Sequence, residues 1–182
     1  MKIKMQNVRL SFPGLFRAEA FKPGDDPKFK ATFLVEAGSA QHKMVEDAIL
    51  AAVTAKWGAK DAAKIVASIR NNPNKFCYQD GNTKSYDGYE GMFALSAKNS
   101  VRPLVLDRDK SPLTEEDGRP YAGCYVNASL ELFVYDNSGK GVSCSLGGVQ
   151  FNRDGDSFAG GKAADEGDFD ELADGADAAD LV

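Results

Sequence analysis

Histidine, cysteine and tryptophan are scarce in this chain, with one His, three Cys and one Trp in 182 residues. His42 stands alone, and Cys77, Cys124 and Cys144 are an odd number without CxxC spacing. They supply neither a Cys/His zinc site nor a disulfide framework, and a reducing compartment is expected. Long apolar runs are missing too. Nowhere do eighteen apolar residues follow one another, and the charges of the opening MKIKMQNVRL precede no continuous apolar stretch. The expectation is a soluble, cytoplasmic protein with no membrane association, in which the glycosylation triplet Asn127-Ala128-Ser129 has no role. Neither GxxxxGK[ST] nor GxSxG occurs, which removes the commonest nucleotide-cradling loop and hydrolase elbow. Asp107-Arg108-Asp109-Lys110-Ser111 opens like a calcium loop, but Pro112 occupies the required glycine position and Gly118 the final glutamate. Asp107, Asp109, Glu115, Glu116 and Asp117 still form a carboxylate set of the kind a metal-dependent nuclease uses, against the plainer reading of a solvated loop. The expectation is no catalytic residue, no metal and no cofactor.

Basic residues are absent after Lys162, and the formal charge of -5 divides accordingly. Residues 1–162 carry 22 basic and 19 acidic residues, while Asp165, Glu166, Asp168, Asp170, Glu171, Asp174, Asp177 and Asp180 make the rest purely acidic. A weakly cationic body with an acidic tail suggests a nucleic-acid binder.

Periodicity separates β segments from a helical insertion. Ile3 to Phe12 alternates as a strand, with Val8, Leu10 and Phe12 on one face. A change of phase at Gln6-Asn7 suggests a bulge, and Pro13-Gly14 is expected to end the strand. In Lys28 to Val35, Phe29, Ala31, Phe33 and Val35 share one face and Lys28, Lys30, Thr32 and Leu34 the other. From about 39 to 71 the period is helical: Val45, Ile49, Ala52, Val53 and Trp57, then Ile65, Val66 and Ile69, with Ser39 as N-cap, Gly58 as break and Asn71-Asn72-Pro73 as stop. Short β runs follow around 76–78, 91–98, 103–106, 124–135 and 141–151, the last two joined by the hairpin turn Asp136-Asn137-Ser138-Gly139. The fold class is mainly β with a helical insertion (α+β), an OB-fold-like small β-barrel over residues 1–153. Residues 154–182, poor in bulky side chains, are expected to be a flexible linker and disordered acidic tail.

Holding a single strand needs cations for the phosphates and exposed rings on which bases stack. Here the two interleave. Phe29 lies between Lys28 and Lys30, Phe76 and Tyr78 follow Lys75, Tyr86 and Tyr89 follow Lys84, and Phe93 precedes Lys98 and Arg102. The DNA-contacting set expected on this basis is Lys28, Lys30, Lys75, Tyr78, Tyr86, Tyr89, Phe93, Lys98 and Arg102. Each ring has a competing reading as core and each cation as an ordinary solvated charge. His42, beside the N-cap, reads as a surface histidine without a function, and Cys77 and Cys144 as small core or near-core side chains.

Three stretches carry a resemblance: the opening KIKMQNVRLSFPGLFRAEAF, the central GYEGMFALSAKNSVRP, and the closing YAGCYVNASLELFVYDNSGKGVSCSLGGVQFNRDGDSFAGG. Together they make nearly the whole chain similar to a family of phage single-stranded DNA-binding proteins, long carried as a domain of unknown function. More remotely the chain resembles the replication-associated binding proteins of short-tailed coliphages. The resemblance implies an OB-fold core that binds single-stranded DNA in phage replication, recombination or repair within an infected or lysogenic bacterial host. It further implies an acidic tail that competes with DNA and recruits replication or recombination proteins, the docking residues here being Asp174, Asp177, Asp180, Leu181 and Val182. A homodimer through a strand edge stays open, as does a phage interaction or virion-associated β protein that binds no DNA.

Overall fold

The computed structural model describes residues 1–158 and 166–172. The elements are β1 (Lys2–Glu19), β2 (Lys28–Glu36), α1 (Ala40–Trp57), α2 (Ala59–Ile69), β3 (Tyr78–Asp80), β4 (Met92–Asn99), β5 (Leu104–Leu106), β6 (Tyr125–Asp136) and β7 (Lys140–Arg153). The sheet runs β3-β4-β2-β1-β6-β7-β5, and a further pairing of β4 with β7 closes β1, β2, β4, β7 and β6 into a five-stranded barrel. Around that ring every pairing is antiparallel except β4 with β7, which is parallel. This is the OB topology, in which the third and fifth barrel strands run side by side. β3 and β5, each three residues long, are added at the ends of the sheet.

Alternation builds the barrel interior. Ala31, Phe33 and Val35 of β2 point inward together with Leu130 and Leu132 of β6 and Cys144 and Leu146 of β7, all at most 2% exposed. Each fully buried aliphatic side chain contributes about 1.5–3 kcal/mol. α1 covers one end of the barrel with Val45, Ile49 and Val53, fully buried. Its N-cap is Ser39, whose hydroxyl accepts from the His42 backbone, and Gly58 ends it. Gln41 clamps the β1 bulge, accepting from the Gln6 backbone at 2.8 Å and donating to the Gln6 carbonyl at 2.6 Å. That bulge falls where the phase change placed it, with Asn7 at φ 51° and a register shift between Met5 and Val8. Arg70, just after α2, forks onto Glu46 of α1 at 2.7 and 2.6 Å.

Pro13-Gly14 does not end β1. Beyond Leu10, which still exchanges backbone hydrogen bonds with Gly123 and Cys124, the strand's ladder is with β2 alone, and a register shift between Ser11 and Gly14 absorbs the proline, whose missing N–H then costs no ladder bond. The β6–β7 hairpin turns with Ser138 and Gly139 at positive φ. The expected linker also starts too early at residue 154. Tyr121 Oη donates to Asp154 at 2.7 Å, Arg9 donates to the Asp156 carbonyl at 2.8 Å, and the Phe158 backbone donates to Ala122 at 3.0 Å. The Phe158 ring lies 4.1 Å from the Arg9 guanidinium and so close to Gly88 that a Cβ there would sit 2.6 Å from it.

The barrel encloses thiols that are harder to ionise than in water. Burial raises Cys124 to about 11 and pushes Cys144 higher still. The unfolded chain therefore loses these protons first, so the stabilisation is complete below pH about 9 and is lost as the pH rises toward the folded values. Thermal unfolding followed by circular dichroism should show a flat midpoint from pH 7 to about 8.5 and then a fall. The slope should be about 1.4 kcal/mol per pH unit for each thiol.

Candidate nucleic-acid interface

One open groove of about 460 Å³ lies on the outer face of β2 and β4, the second and third barrel strands. Lys30 and Thr32 of β2 and Ser96 and Lys98 of β4 line it. The register makes Lys30 and Lys98 direct cross-strand partners, and Thr32 and Ser96 the next pair, their hydroxyls 3.4 Å apart. Two cations facing each other across a ladder repel, so this pair costs stability unless an anion lies between them. Glu19 approaches Lys30 at 3.9 Å, in an exposed contact that offsets little of this. Lys84 adds a third cation.

Rings flank the cations at both ends. At one end Phe12, half exposed, meets the half-exposed Tyr86 edge-on at 4.8 Å, and Tyr86 meets Tyr89 at 5.2 Å. Phe12 sits at φ 46°, an uncommon conformation for a bulky residue, and this is what turns its ring outward after the bulge. Phe21, 86% exposed, stands on the loop between β1 and β2. At the other end the ring of Tyr135 of the β6–β7 hairpin lies against Gly141, where a Cβ would be 2.2 Å from it; only glycine leaves it that seat. The Tyr135 hydroxyl donates to the Asn74 carbonyl at 3.3 Å. Cations on a strand face with rings from β1, the β1–β2 loop, the loop before β4 and the β6–β7 hairpin can seat phosphates and bases together. OB-folds bind oligonucleotides on this same strand face and with the connections that correspond to the β1–β2 loop and the β6–β7 hairpin.

The family profile described as "Enterobacter phage Enc34, ssDNA-binding protein" matches residues 1–182. The chain belongs to the Enc34 single-stranded DNA-binding family. Putative protein p50 of Acyrthosiphon pisum secondary endosymbiont phage 1 is 52% identical over 176 residues, 95% of each chain. The single-stranded DNA-binding protein of bacteriophage Enc34, solved in complex with single-stranded DNA, superposes with TM-score 0.72 at 25% identity, covering 87% of this chain and 89% of that one. The single-stranded DNA-binding protein encoded by bacteriophage T7, at TM-score 0.55, 14% identity and coverage of 94% and 99%, shares the fold.

Within this member of the Enc34 family, Lys30, Tyr86, Tyr89 and Lys98 of the expected set line the groove. Lys28 lies on the same face of β2 as Lys30 and donates to Ser100 at 3.1 Å. Lys75 sits at the rim, 5.8 Å from the Tyr135 ring, and holds the hairpin turn through the Asn137 and Ser138 carbonyls at 3.4 and 2.9 Å. Arg102 lies over Phe16 at 5.9 Å, outside the groove lining.

Three expected platforms need correction. Tyr78 is fully buried, its hydroxyl 2.8 Å from His42 Nδ1, and burial raises its pKa; it has no ring face to offer. Phe93 stacks on His42 at 4.4 Å and on Tyr78 at 5.2 Å, under α1 rather than in the groove, so His42 is a packing residue, not a bare surface one. Tyr89 borders the groove but is 3% exposed, tied to Ser11 at 2.8 Å, and therefore supports Tyr86 instead of stacking bases itself.

Phe12, Phe21, Lys84 and Tyr135 are groove residues outside the expected set. A ring in the Pro/Gly/Asp loop FKPGDDP has no strand partner to bury it, which was the legible sign for Phe21. The loop carboxylates are engaged locally. Asp107 pairs with Arg119 at 2.7 Å, which lowers its pKa, Ser111 donates twice to Asp109, Asp117 caps Thr114, and Glu115 pairs with Arg17 at 3.0 Å. Among the described residues no group of three or more His, Cys, Asp or Glu is placed to hold a metal ion, and no helix is long and apolar enough to cross a membrane. Asp174, Asp177, Asp180, Leu181 and Val182 lie outside the described residues.

Proposed function

We propose that this chain captures single-stranded DNA in the β2–β4 groove, without sequence preference and without a catalytic step. Its setting would be phage replication, recombination or repair in the cytoplasm of the infected or lysogenic bacterial cell. The observation that carries the reading is the like-charge pair Lys30 and Lys98, set in one groove between the exposed rings of Phe12 and Tyr86 at one end and the partly buried ring of Tyr135 at the other. Ammonium groups and ring faces suit every nucleotide alike, which is why sequence would count for little. Membership of a family of binding proteins supports the same function.

The test is anisotropy of a labelled oligo(dT), with mixed-sequence and duplex competitors. Tight, salt-sensitive binding displaced by any single strand but poorly by duplex is expected. No binding by the full chain or by one lacking residues 163–182 would favour the β protein that binds no DNA.

The acidic stretch from Asp165 to Asp180 is proposed to modulate this binding and to recruit replication or recombination proteins through Asp174, Asp177, Asp180, Leu181 and Val182. Eight tethered negative charges act at high effective concentration on the cationic groove and yield to polyanionic DNA. Removing residues 163–182 should tighten DNA binding several-fold at about 0.02 M salt, with the gap closing by about 0.3 M, as equilibrium titrations at both salts would show. Equal affinities at low salt would contradict the competition and leave the groove untouched.

A further inference from the structure

A second cationic surface lies further along β7, roughly 30 Å of strand beyond Ser143 in the groove at the usual rise per residue. Arg108 and Arg153 flank an open pocket there of about 450 Å³, lined by Asn127, Gln150 and Asn152. Each guanidinium is held twice. Arg108 donates its Nε to the Asn152 carbonyl and lies over the Phe151 ring at 5.5 Å. Arg153 donates its Nε to Asn7 Oδ1 at 3.0 Å and lies over the Tyr125 ring at 3.6 Å. Both side chains are exposed, and their terminal nitrogens donate to no other described residue. Guanidinium forks anchored in this way lose little further freedom on meeting an oxyanion.

The lining is fixed as well. Asn152 Nδ2 donates to Asn127 Oδ1 at 3.0 Å, Asn127 Nδ2 to Gln150 Oε1 at 3.2 Å, and Gln150 Nε2 to the Arg108 carbonyl at 3.2 Å. The Asn7 backbone donates to the same Asn127 oxygen at 3.0 Å, so one amide network joins the anchors of both arginines. Nearby acids are engaged: Asp107 faces Arg119, and Asp154 accepts from Tyr121.

We propose that this pocket is a second phosphate-contact site, taking backbone phosphodiesters of the same single strand where it runs on past the groove. The inference rests on the groove reading above. Arginines already cover faces of the Tyr125 and Phe151 rings, so the surface suits phosphate rather than stacked bases.

The test titrates the full chain and Arg108→Gln/Arg153→Gln with oligo(dT) of about 5 and about 20 nucleotides, the shorter near the small end of single-fold sites, over a range of salt. The variant should lose about 10- to 30-fold in affinity for the longer strand at about 0.1 M salt. Its slope of log affinity against log salt should shrink by about 1.4, two phosphates at about 0.7 each, with the shorter strand unaffected. Arg108→Lys/Arg153→Lys keeps both charges and should keep the slope. Wild-type affinity and slope for the glutamine variant on the longer strand would overturn the site and leave the groove standing. Equal loss on both lengths would also overturn it, by marking damage to the barrel instead of a lost contact. A wild-type chain that binds neither length would overturn the groove reading itself.

Discussion

Lys98→Glu is expected to lower the affinity for single-stranded DNA about 25-fold at about 0.1 M salt without lowering the melting temperature. One phosphate contact is lost and one like charge is added to the groove, each changing the salt exponent by about 0.7. Stability moves the other way. Lys98 faces Lys30 across the ladder, and a glutamate there replaces a repulsive cross-strand pair with an attractive one, worth about 0.2–1 kcal/mol. Anisotropy titrations at several salts, beside thermal melts, check both signs. A variant that melts lower and binds as before would show that the pair is structural. A gain in stability with a loss of binding is the pattern of charges held together for a ligand.

The second large effect comes from rings. Phe12→Gly combined with Tyr86→Ala should cost about 2–6 kcal/mol of binding, one stacked base for each ring, which is about 30-fold or more. The salt slope should stay where it was, because no charge changes. Both rings are about half exposed, and their edge-on contact at 4.8 Å is worth about 0.5–1.5 kcal/mol. Glycine at position 12 recovers a comparable amount, since φ 46° suits a residue without Cβ. The melting temperature should therefore move by only a few degrees. Charge reversal alters the slope and ring removal does not, so the two variants separate phosphate contacts from stacking.

Local chemistry made much of the fold legible. The helical pair, its Ser39 cap and Gly58 break, the bulge at Asn7 and the β6–β7 hairpin all follow from a few adjacent residues. Where reading failed, a long-range partner decided. Tyr78 and Tyr86 look alike in sequence, yet α1 brings His42 onto one and buries it, while the other sits on a loop, half exposed, with only the edge contacts of Phe12 and Tyr89 beside it among the described rings. Phe12 continued an alternation that its own backbone breaks, because the register shift after Ser11 reverses the face it presents. Lys30 and Lys98 were legible as cations, but that they face each other depends on the β2–β4 register. Tyr135 reads as one more strand aromatic until the hairpin folds it over Gly141. Asp154 to Phe158 has the composition of a linker, and it is held because Arg9, Tyr121 and Ala122 happen to present partners to it.

Photo-crosslinking tests the groove most directly. A 5-iodouracil oligonucleotide bound to the full chain would be irradiated and the adducts located by peptide mass spectrometry. Adducts on Phe12, Phe21, Tyr86 or Tyr135 are the predicted result, with Tyr78 and Phe93 unlabelled beneath α1. Adducts confined to residues outside the β2–β4 groove, with those four rings unmodified, would contradict the account.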